Sequence, residues 1–588
     1  MSYKNLRDWI DKLQQENELA IIDAPVDPYL ELAEIHRRVM DDDGPALLFT
    51  NVKGTSFPVA TNLFGSARRV EMAFGSRPEQ LANEFSNTIN RFVFPSPGML
   101  WKERGLVREA LRLGMKSVSR KNAPVLEMCR KELPLRELPK ITGWQHDGGP
   151  CIPLSMVYTE NPLRQEEHNL GMYRIQLYDD QTAGIHWHIH KGGRFHYYEA
   201  ERLNQPLPVS VCIGGPPAMI ASSMAKVPET VSELLLASFI MGEKISMVDN
   251  PCGGHRIPAE LEFVISGAVL PHEHRCQGPV GDRFGYYTLP YEAPVLRVSH
   301  MWHRKGAIYP ATIVGKPRQE DYYLGDFLQK LLSPLVPMVM PGVRSLWTYA
   351  DSGFHSLTAA IVRESYSREA LASAFRILGE GQLSLTKVLM LTDKSLDITD
   401  FRLLLTTILE RFDSQRDLFI MDNTSQNTLD FTGHELNLGS KAIWIGVGEP
   451  VRDLPYEYIE GDIAEIKQIE VFGKGCLVVS GASYEDEPEL AERLLNRLRI
   501  RDTSWPLIIL ADNAGITAYD ETAFLWTVFT RFDPASDIYT AANVSGHRVA
   551  YSLPIVIDAR KKPDYPEELF PSEEVAALVN TRWKSYFI

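Results

Sequence analysis

Side chains that bind metals, anions or protons are concentrated between residues 169 and 193. Asn169 and Arg174 are followed by the run His186-Trp-His-Ile-His190-Lys-Gly-Gly. Alternation along Met172–Leu177 places Arg174 on the polar face of a strand, and in the second segment the three histidines oppose apolar residues. The pattern predicts a β-hairpin with one apolar face and one face of amide, guanidinium and imidazole groups.

Other interpretations of these residues stay open. A surface hairpin whose polar side chains are solvated gives the same alternation. Histidines at every second position also fit a cupin-like metal site of their own. Gly192 and Gly193 either let backbone amides approach a phosphate closely or form a plain hairpin turn.

The elements around the hairpin change character along the chain. Residues 1–120 mix helical periodicity, as in Leu6–Glu18, with short apolar strands, which predicts an α/β region. Residues 121–315 contain many short β-branched and aromatic runs between Gly and Pro, which is typical of a barrel or sandwich. Residues 316–345 are a predicted linker. Strand–helix alternation in 346–490 predicts a parallel sheet, and 491–588 form a C-terminal extension.

The C-terminal part repeats itself. The strand Val388–Asp393 leads into a helix that ends in Thr407–Asp413, and Leu507–Asp512 leads into Thr527–Asp533. Both helices end in Arg-Phe-Asp, and a further aspartate follows each at the matching place. We therefore predict a duplicated strand–helix unit, whose second copy lies in the extension.

Composition excludes several classes of protein. The chain of 588 residues has a net charge of −15, which argues against non-specific binding to nucleic acid or anionic lipid. Its six cysteines are scattered without a CxxC pair, as expected in a reducing compartment. We see no N-terminal signal region and no apolar run of the roughly 20 residues that span a bilayer. A cytoplasmic protein without an integral membrane segment is expected.

Short motifs spread over most of the chain carry a family resemblance. They are Phe57-Pro-Val-Ala-Thr-Asn62-Leu-Phe-Gly-Ser66, Asn169-x-Gly-x-Tyr-Arg174-x-Gln176, His190-Lys-Gly-Gly, Pro228-x-x-x-Ser-Glu233, Gly278-Pro-x-Gly-Asp282-x-x-Gly-Tyr-Tyr and Ala307-Ile-Tyr. In this order and spacing they resemble the UbiD family of non-oxidative decarboxylases, which use prenylated FMN. The resemblance implies an N-terminal α/β region, a central split β-barrel that binds the flavin, and a C-terminal α/β domain that mediates oligomerisation.

Further segments resemble one subgroup of that family, the long-chain proteins associated with menaquinone-type quinone synthesis. These segments are Ser352-Gly-Phe-His355 through Gly379-Glu-Gly-Gln382, Leu429-Asp-Phe-Thr-Gly433 and Pro554-Ile-Val-Ile-Asp558.

The resemblance also implies a cofactor site. Its metal ligands are Asn169, His190 and Glu233, a mixed oxygen and nitrogen set that suits Mn²⁺ or Mg²⁺ bridging to a flavin phosphate. K⁺ is a further ion that the resemblance allows. The remaining implied contacts to prenylated FMN are Met172, Tyr173, Arg174, His186, Trp187, His188, Lys191, Gly192 and Lys387.

Loss of CO2 from an sp2 carbon leaves a carbanion that no protein side chain can stabilise, so an electron sink such as a modified flavin is required. By resemblance, Arg174 holds the substrate carboxylate and Asp282 protonates the carbon that lost CO2. Such an acid needs a pKa raised by burial. Gly281 and Gly285 let the loop that carries Asp282 bend close to the flavin.

The chain departs from the family pattern at Gln277, where the family has the glutamate of a proton relay. An amide accepts a hydrogen bond from Arg174 but carries no proton. Three explanations stay open. The relay runs through Asp282 and water alone; Glu273, His272 or His274 substitutes; or the protein is a slow or specialised paralogue.

The function expected from the resemblance is reversible, non-oxidative decarboxylation of a hydroxybenzoate- or hydroxynaphthoate-like acid. A role in quinone biosynthesis is expected with it. Alternatives are carboxylation of a phenolic substrate and, because of Gln277, a non-catalytic flavin-binding role. A flavin prenyltransferase would supply the cofactor, no nucleic acid is involved, and a homo-oligomer, dimer or hexamer, is expected.

Overall fold

Short strands and amphipathic helices build two units in the computed structural model, which describes residues 3–89, 104–164, 166–226, 231–501 and 503–587. The first unit comprises Met1–Leu331 with Glu567–Ile588, and the second comprises Leu332–Pro566. Each combines helices with sheets, so the predicted mixed α/β class is confirmed. No helix in these ranges is both long and apolar enough to cross a bilayer.

The first unit contains three sheets. A four-stranded sheet has the order β1-β2-β3-β16, a three-stranded sheet has the order β13-β12-β4, and a nine-stranded sheet has the order β6-β9-β10-β15-β14-β11-β7-β8, with β5 beside β15. The strands are β1 Leu19–Ile22, β2 Ala46–Phe49, β3 Val59–Thr61, β4 Met115–Ser117, β5 Met128–Arg130, β6 Cys151–Ile152, β7 Ser155–Glu160, β8 His168–Met172, β9 Ile175–Leu177, β10 Thr182–Ile185, β11 Leu207–Ile213, β12 Ile245–Asp249, β13 Arg256–Pro258, β14 Phe263–Gln277, β15 Tyr291–His303 and β16 Tyr309–Pro310.

The nine-stranded sheet curls, which brings strands from opposite sides of its order close together. β8 ends one side of the strand order and β9 lies near the other, yet only Tyr173 and Arg174 connect them. Three peptide units span about 11 Å at most, so the connected strand ends must lie close together. The backbone N–H of Tyr173 donates to the Ser155 carbonyl, and the Ser155 hydroxyl donates to the Tyr173 carbonyl over 2.6 Å. The described strands nevertheless do not close into a continuous barrel.

The predicted single hairpin is wrong in part. β9 and β10 do form an antiparallel hairpin, with Ile175 opposite Ile185. Asn169, however, lies on β8, which pairs with β7 on the opposite side of the strand order. The histidine run follows β10 as a loop rather than a strand, because the chain turns at His190 (φ 56°) into the next helix.

Helices cover the sheets of the first unit, and local sequence explains their starts. The side chains of Asn5, Ser66 and Ser232 each accept a backbone N–H at a helix N-terminus. Pro228, the first residue of the family motif that ends at Glu233, lies outside the described residues. The helices are Leu6–Gln15, Glu31–Asp41, Ala67–Phe74, Arg77–Ile89, Arg104–Arg112, Gly192–Arg202, Pro217–Ser222, Glu233–Met241, Glu320–Leu332 and Glu573–Tyr586.

The second unit contains two five-stranded sheets with the same topology. Their orders are β17-β18-β19-β21-β20 and β22-β23-β24-β26-β25, and in both the three inner strands are parallel while the outer two are antiparallel. The strands are β17 Val343–Thr348, β18 Leu357–Val362, β19 Val388–Thr392, β20 Leu418–Ser425, β21 Leu438–Gly446, β22 Gln468–Gly473, β23 Cys476–Ser480, β24 Leu507–Leu510, β25 Ile538–Ser545 and β26 Arg548–Asp558.

The repeat in the sequence falls on equivalent positions of these two sheets. The Asp413 N–H donates to the Asp417 carboxylate over 3.1 Å, and the Asp533 N–H donates to the Asp537 carboxylate over 2.8 Å. One hydrophobic core joins side chains from both sheets. The helices are Val336–Val339, Glu369–Leu378, Phe401–Arg411, Ser414–Asp417, Leu490–Arg501, Ala514–Ala518, Glu521–Arg531 and Pro534–Asp537.

The proposed C-terminal extension, 491–588, does not stay in one unit. Its last segment, from Glu567, belongs to the first unit, where the helix Glu573–Tyr586 packs on the helix Glu31–Asp41. Val579 and Tyr586 are buried in the core of that unit. The other predicted domain boundaries stay predictions.

Candidate functional site

The crossing between β8 and β9 presents Arg174 to a buried carboxylate. Its guanidinium forms an ion pair with Asp282, and the side chains retain 13% and 6% of their accessible surface. Burial lowers the pKa of Arg174. The structure thus brings together the two residues that the sequence predicted for substrate binding and proton transfer.

Asp282 sits in a tight turn that is held from both sides. Its N–H donates to the Tyr286 carbonyl, and its carbonyl accepts from the Gly285 N–H over 2.9 Å. The neighbouring Gly281 N–H donates to Asp147 over 2.7 Å, and a Cβ at Gly281 would lie 2.2 Å from the Trp144 ring. Glycine is therefore required for this close approach to Trp144, and the expected approach of the loop to a flavin stays a prediction. Asp282 Oδ1 is buried and makes no hydrogen bond within the described residues, so it is available to a ligand.

The histidine run continues from the same place. The His186 N–H donates to the Arg174 carbonyl over 3.0 Å, and the His186 and His188 rings lie 4.3 Å apart. Burial, reinforced by nearby positive charges, lowers the pKa of both rings well below the usual range. The two imidazoles are consequently neutral at pH 7, and His186 Nε2 has no hydrogen-bond partner among the described residues.

Trp187 faces away from these histidines, as the alternation predicted. Its ring packs edge-on against Tyr173 at 4.9 Å and stacks with Tyr197 at 6.2 Å. Trp187 is thus part of the core beneath the site. A flavin contact through its side chain stays a prediction.

Two of the three predicted metal ligands are in contact. Asn169 Nδ2 donates to Glu233 over 2.7 Å, and burial raises the pKa of Glu233. The Tyr173 hydroxyl donates to Asn169 Oδ1 over 3.0 Å, which leaves that oxygen a second lone pair for a cation. A Cβ at Gly192 would lie 3.0 Å from Asn169, so the segment that follows His190 reaches the same point.

This donor set fits a hard divalent cation. An amide oxygen, a carboxylate and an imidazole suit Mn²⁺ or Mg²⁺ better than a thiophilic metal. The described residues contain no group of three or more His, Cys, Asp or Glu placed to hold a metal. The described residues therefore give no support to the alternative of a metal site made from the three histidines alone.

Four cationic side chains surround this region, and two of them were missed in the sequence. Lys191 donates to the Met172 carbonyl over 2.9 Å, and burial together with the charge of Arg283 lowers the pKa of Lys191 to about 7. Burial and the charges of Arg283 and Lys191 also lower the pKa of Lys226 well below its usual range. Each is partly exposed, as are Arg174 and Arg283, and the mutual lowering of their pKa values shows that these basic groups lie within electrostatic range of one another, an arrangement that an anion would stabilise.

No local signal pointed to Lys226 or Arg283. Lys226 follows the helix Pro217–Ser222 in sequence, and Arg283 stands beside the predicted acid without a motif of its own. Only folding brings their charges within range of Lys191.

Comparison with known proteins identifies the family. The chain matches the N-terminal domain of 3-octaprenyl-4-hydroxybenzoate carboxy-lyase over residues 10–89 and its central, Rift-related domain over 116–317. The C-terminal domain of that family matches over residues 322–446 and 447–559. The chain belongs to the UbiD family.

Sequence similarity to individual relatives extends over the full length of the chain. A protein of Chlamydia caviae is 45% identical over 588 residues and covers 100% of both chains. A Chlamydia pneumoniae protein, named as one component of a 4-hydroxybenzoate decarboxylase, is 46% identical over 583 residues and covers 99% of this chain and 98% of its own. Family and relatives are consistent with a carboxy-lyase.

Solved UbiD-class structures share the fold. Vanillic acid decarboxylase from Sedimentibacter hydroxybenzoicus, in closed form, has a TM-score of 0.68 at 23% identity and covers 79% of this chain and 96% of its own. The UbiD-class enzyme HmfF from Pelotomaculum thermopropionicum, in complex with FMN, has a TM-score of 0.61 at 24% identity and covers 78% and 97%.

Gln277, the departure from the UbiD pattern, is fully engaged elsewhere. Its Oε1 accepts from the Tyr291 hydroxyl over 2.6 Å, and its Nε2 donates to the Gly184 carbonyl over 3.4 Å. The expected hydrogen bond from Arg174 is therefore replaced by one from Tyr291, whose ring also packs edge-on against His186 at 4.7 Å. Sequence reasoning missed Tyr291.

The three residues considered as substitutes for the missing glutamate contact side chains other than Arg174 and Asp282. Glu273 is held by Arg297 on the neighbouring strand at 2.6 Å, where Arg297 is exposed and Glu273 is partly exposed. His272 and His274 lie 3.7 Å and 4.0 Å from Glu201. The geometry favours Asp282 as the acid that serves Arg174.

Lys387, a predicted flavin contact, lies in the second unit. Its ammonium forms an ion pair with Asp430 at 2.9 Å, and both side chains are almost completely buried. It also donates to the Thr432 hydroxyl over 3.2 Å. These contacts give Lys387 a structural role in the second unit, and its contact with a cofactor stays a prediction.

Proposed function

We propose that the protein catalyses the non-oxidative decarboxylation of an aromatic acid with prenylated FMN and a divalent metal. The observation that carries this proposal is the buried Arg174–Asp282 ion pair, in the same unit as the Asn169–Glu233 contact. A UbiD-class neighbour, an evolved dimeric form of HmfF, is described in complex with prenylated FMN. The proposal rests on this shared fold together with the residues of this chain.

The residues fit the cofactor. Asn169, Glu233 and His190 would hold the metal, and Lys191 with the glycines at the start of the helix Gly192–Arg202 would meet the phosphate. A Cβ at Gly193 would lie 2.5 Å from Trp187, so only glycine leaves the backbone this close. Prenylated FMN, when bound, supplies the electron sink that decarboxylation of an sp2 carbon requires.

The chain's own residues perform binding and proton transfer. One side of the Arg174 guanidinium holds Asp282, and its remaining N–H groups bind the substrate carboxylate. His186 and His188 are buried and neutral, so they add no positive charge beside Arg174. Asp282 first takes up one proton from water, and after CO2 has left it delivers that proton to the ring carbon and returns to the carboxylate that pairs with Arg174, so that ArCOO⁻ and H⁺ give ArH and CO2. The reverse reaction, carboxylation, uses the same groups.

We further propose a hydroxybenzoate- or hydroxynaphthoate-like substrate and a role in quinone biosynthesis. The name of the family and that of the Chlamydia pneumoniae relative both refer to 4-hydroxybenzoates. A flavin prenyltransferase would supply the cofactor, and the enzyme would act as a homo-oligomer, a dimer or hexamer. All six cysteines are free thiols, which supports the expected cytoplasmic location.

The test is expression together with a flavin prenyltransferase, followed by spectroscopy, metal analysis and incubation with 4-hydroxybenzoate and hydroxynaphthoates in D2O. If the protein is active, we expect CO2 to be released and one deuterium atom to appear on the product ring. Arg174→Ala should abolish turnover, whereas Arg297→Ala, which removes an exposed guanidinium, should not. Cofactor binding without CO2 release or CO2 uptake would support the non-catalytic alternative and overturn the proposal.

A further inference from the structure

We propose that the C-terminal tail, Glu567–Tyr586, positions the turn that carries Asp282. The end of the chain thereby sets the geometry of the catalytic acid. This inference rests on the function proposed above for Asp282, and nothing in the sequence connected the two segments, which are about 285 residues apart in the chain.

Backbone hydrogen bonds join the tail to the turn. The Tyr287 N–H donates to the Glu567 carbonyl over 2.9 Å, and the Leu569 N–H donates to the Gly285 carbonyl over 2.9 Å. Tyr286 and Glu568 form an antiparallel β-bridge between these two bonds. Tyr286 is also the residue whose carbonyl accepts from the Asp282 N–H. The tail is therefore one hydrogen-bonded step from the backbone of the acid.

A small apolar cluster provides the second connection. Leu569 packs with Trp144 and Tyr287, and all three are buried. The Trp144 ring lies against Gly281, directly before Asp282, and its Nε1 donates to the Val314 carbonyl over 2.9 Å. Loss of the Leu569 side chain would leave a cavity behind the ring that supports the acid-bearing turn.

The remainder of the tail is anchored firmly. Arg38 donates to Asn580 over 2.6 Å and to the Ala576 carbonyl over 2.9 Å, and the Tyr586 hydroxyl donates to Glu31 over 2.6 Å. Arg37, which precedes Arg38 on the helix Glu31–Asp41, stacks on the Trp144 ring at 4.2 Å. The helix Glu31–Asp41 thus holds both the tail and the Trp144 support.

Charged contacts of the tail contribute less. His146 meets Glu567 at 2.9 Å with 49% and 64% of the side chains exposed, and Lys316 meets Glu568 at 3.3 Å with 48% and 15% exposed. At least one partner of each pair is open to water and salt, which weakens both contacts. The backbone bonds and Leu569 are therefore the main contacts that hold the turn.

The inference is tested by Leu569→Ala, Leu569→Pro and Leu569→Met. Proline removes the N–H donor to Gly285, alanine removes the apolar contact, and methionine keeps both. Leu578→Ala is the matched control, because Leu578 is 44% exposed on the tail helix. Hydrogen–deuterium exchange of the peptide spanning residues 281–288 is measured without cofactor, and kcat and KM are measured on the loaded enzyme.

We expect Leu569→Ala to raise exchange of this peptide about tenfold, the factor that a loss of about 1.4 kcal/mol in local opening free energy produces. kcat should fall while KM stays near wild type, and Leu569→Met should restore both readouts. Leu569→Pro should have the larger effect, and if it fails to fold, Leu569→Ala alone decides. Unchanged exchange and kcat in Leu569→Ala would overturn the inference. Wild-type CO2 release separately tests the proposed function, because exchange does not depend on it.

Discussion

Asp282→Asn separates the charge of the proposed acid from its shape. Arg174 then keeps a neutral hydrogen-bond acceptor but loses its negative partner in a buried position. Removing one partner of a buried ion pair costs about 3–5 kcal/mol. Because Arg174 retains 13% of its side-chain surface and asparagine still accepts a hydrogen bond, we expect Asp282→Asn to lower the free energy of unfolding by about 3 kcal/mol, the lower end of this range.

Turnover should fall more sharply than stability. An asparagine cannot deliver a proton, and a positioned general acid contributes about 10²- to 10⁴-fold. We therefore expect kcat for CO2 release to fall by about 10²-fold or more. Stability is measured by urea unfolding of the cofactor-free protein at pH 7, and turnover is measured on protein loaded with cofactor.

Glu273→Gln is the matched control. It makes the same charge change in the same unit, but its partner Arg297 is 60% exposed and Glu273 is 29% exposed. An exposed pair contributes less than about 1 kcal/mol, so this variant should be nearly as stable and active as wild type. Equal losses in the two variants, or turnover of Asp282→Asn within about tenfold of wild type, would refute the assignment of the acid.

Three further predictions concern buried polar groups. Tyr291→Phe should lower the free energy of unfolding, measured in urea, by about 1–3 kcal/mol, because Gln277 Oε1 loses its donor at 2.6 Å. Adding Gln277→Met to the same chain should recover most of that loss. Lys387→Met should lower the thermal unfolding temperature, because the buried Asp430 loses its ion-pair partner and keeps hydrogen bonds from Thr432 and Ser356. The double variant with Asp430→Asn removes the uncompensated charge and keeps an acceptor for those donors, so it should regain part of the loss, and persistence of the whole defect would contradict a purely structural pair. Burial lowers the pKa of His36 to about 3, so between pH 6.5 and 3 the unfolded chain binds a proton that the folded chain does not. The free energy of unfolding should therefore fall by about 1.4 kcal/mol for each pH unit of acidification in this range. His36→Leu should flatten this pH dependence, and an unchanged slope would contradict the explanation.

Local patterns predicted much of the fold. Helices such as Leu6–Gln15 and Glu233–Met241 have apolar periodicity or a capping serine or asparagine, so their existence follows from nearby residues. The repeated Arg-Phe-Asp segments likewise marked equivalent positions of two sheets with one topology. Strand partners did not follow, because Asn169 and Arg174 are neighbours in sequence but belong to opposite sides of the strand order.

The sequence by itself determined the family, the mixed α/β class and the identity of the chemically capable residues, because side-chain type and spacing are local properties that motifs preserve. Only the tertiary structure decided which of them meet. It paired Arg174 with Asp282, turned Gln277 towards Tyr291, brought Lys226 and Arg283 within electrostatic range of Lys191, and brought the C-terminal tail to the acid-bearing turn. These contacts join residues far apart in the chain, and their energies depend on burial and on the curl of the sheet, neither of which is encoded in any short segment.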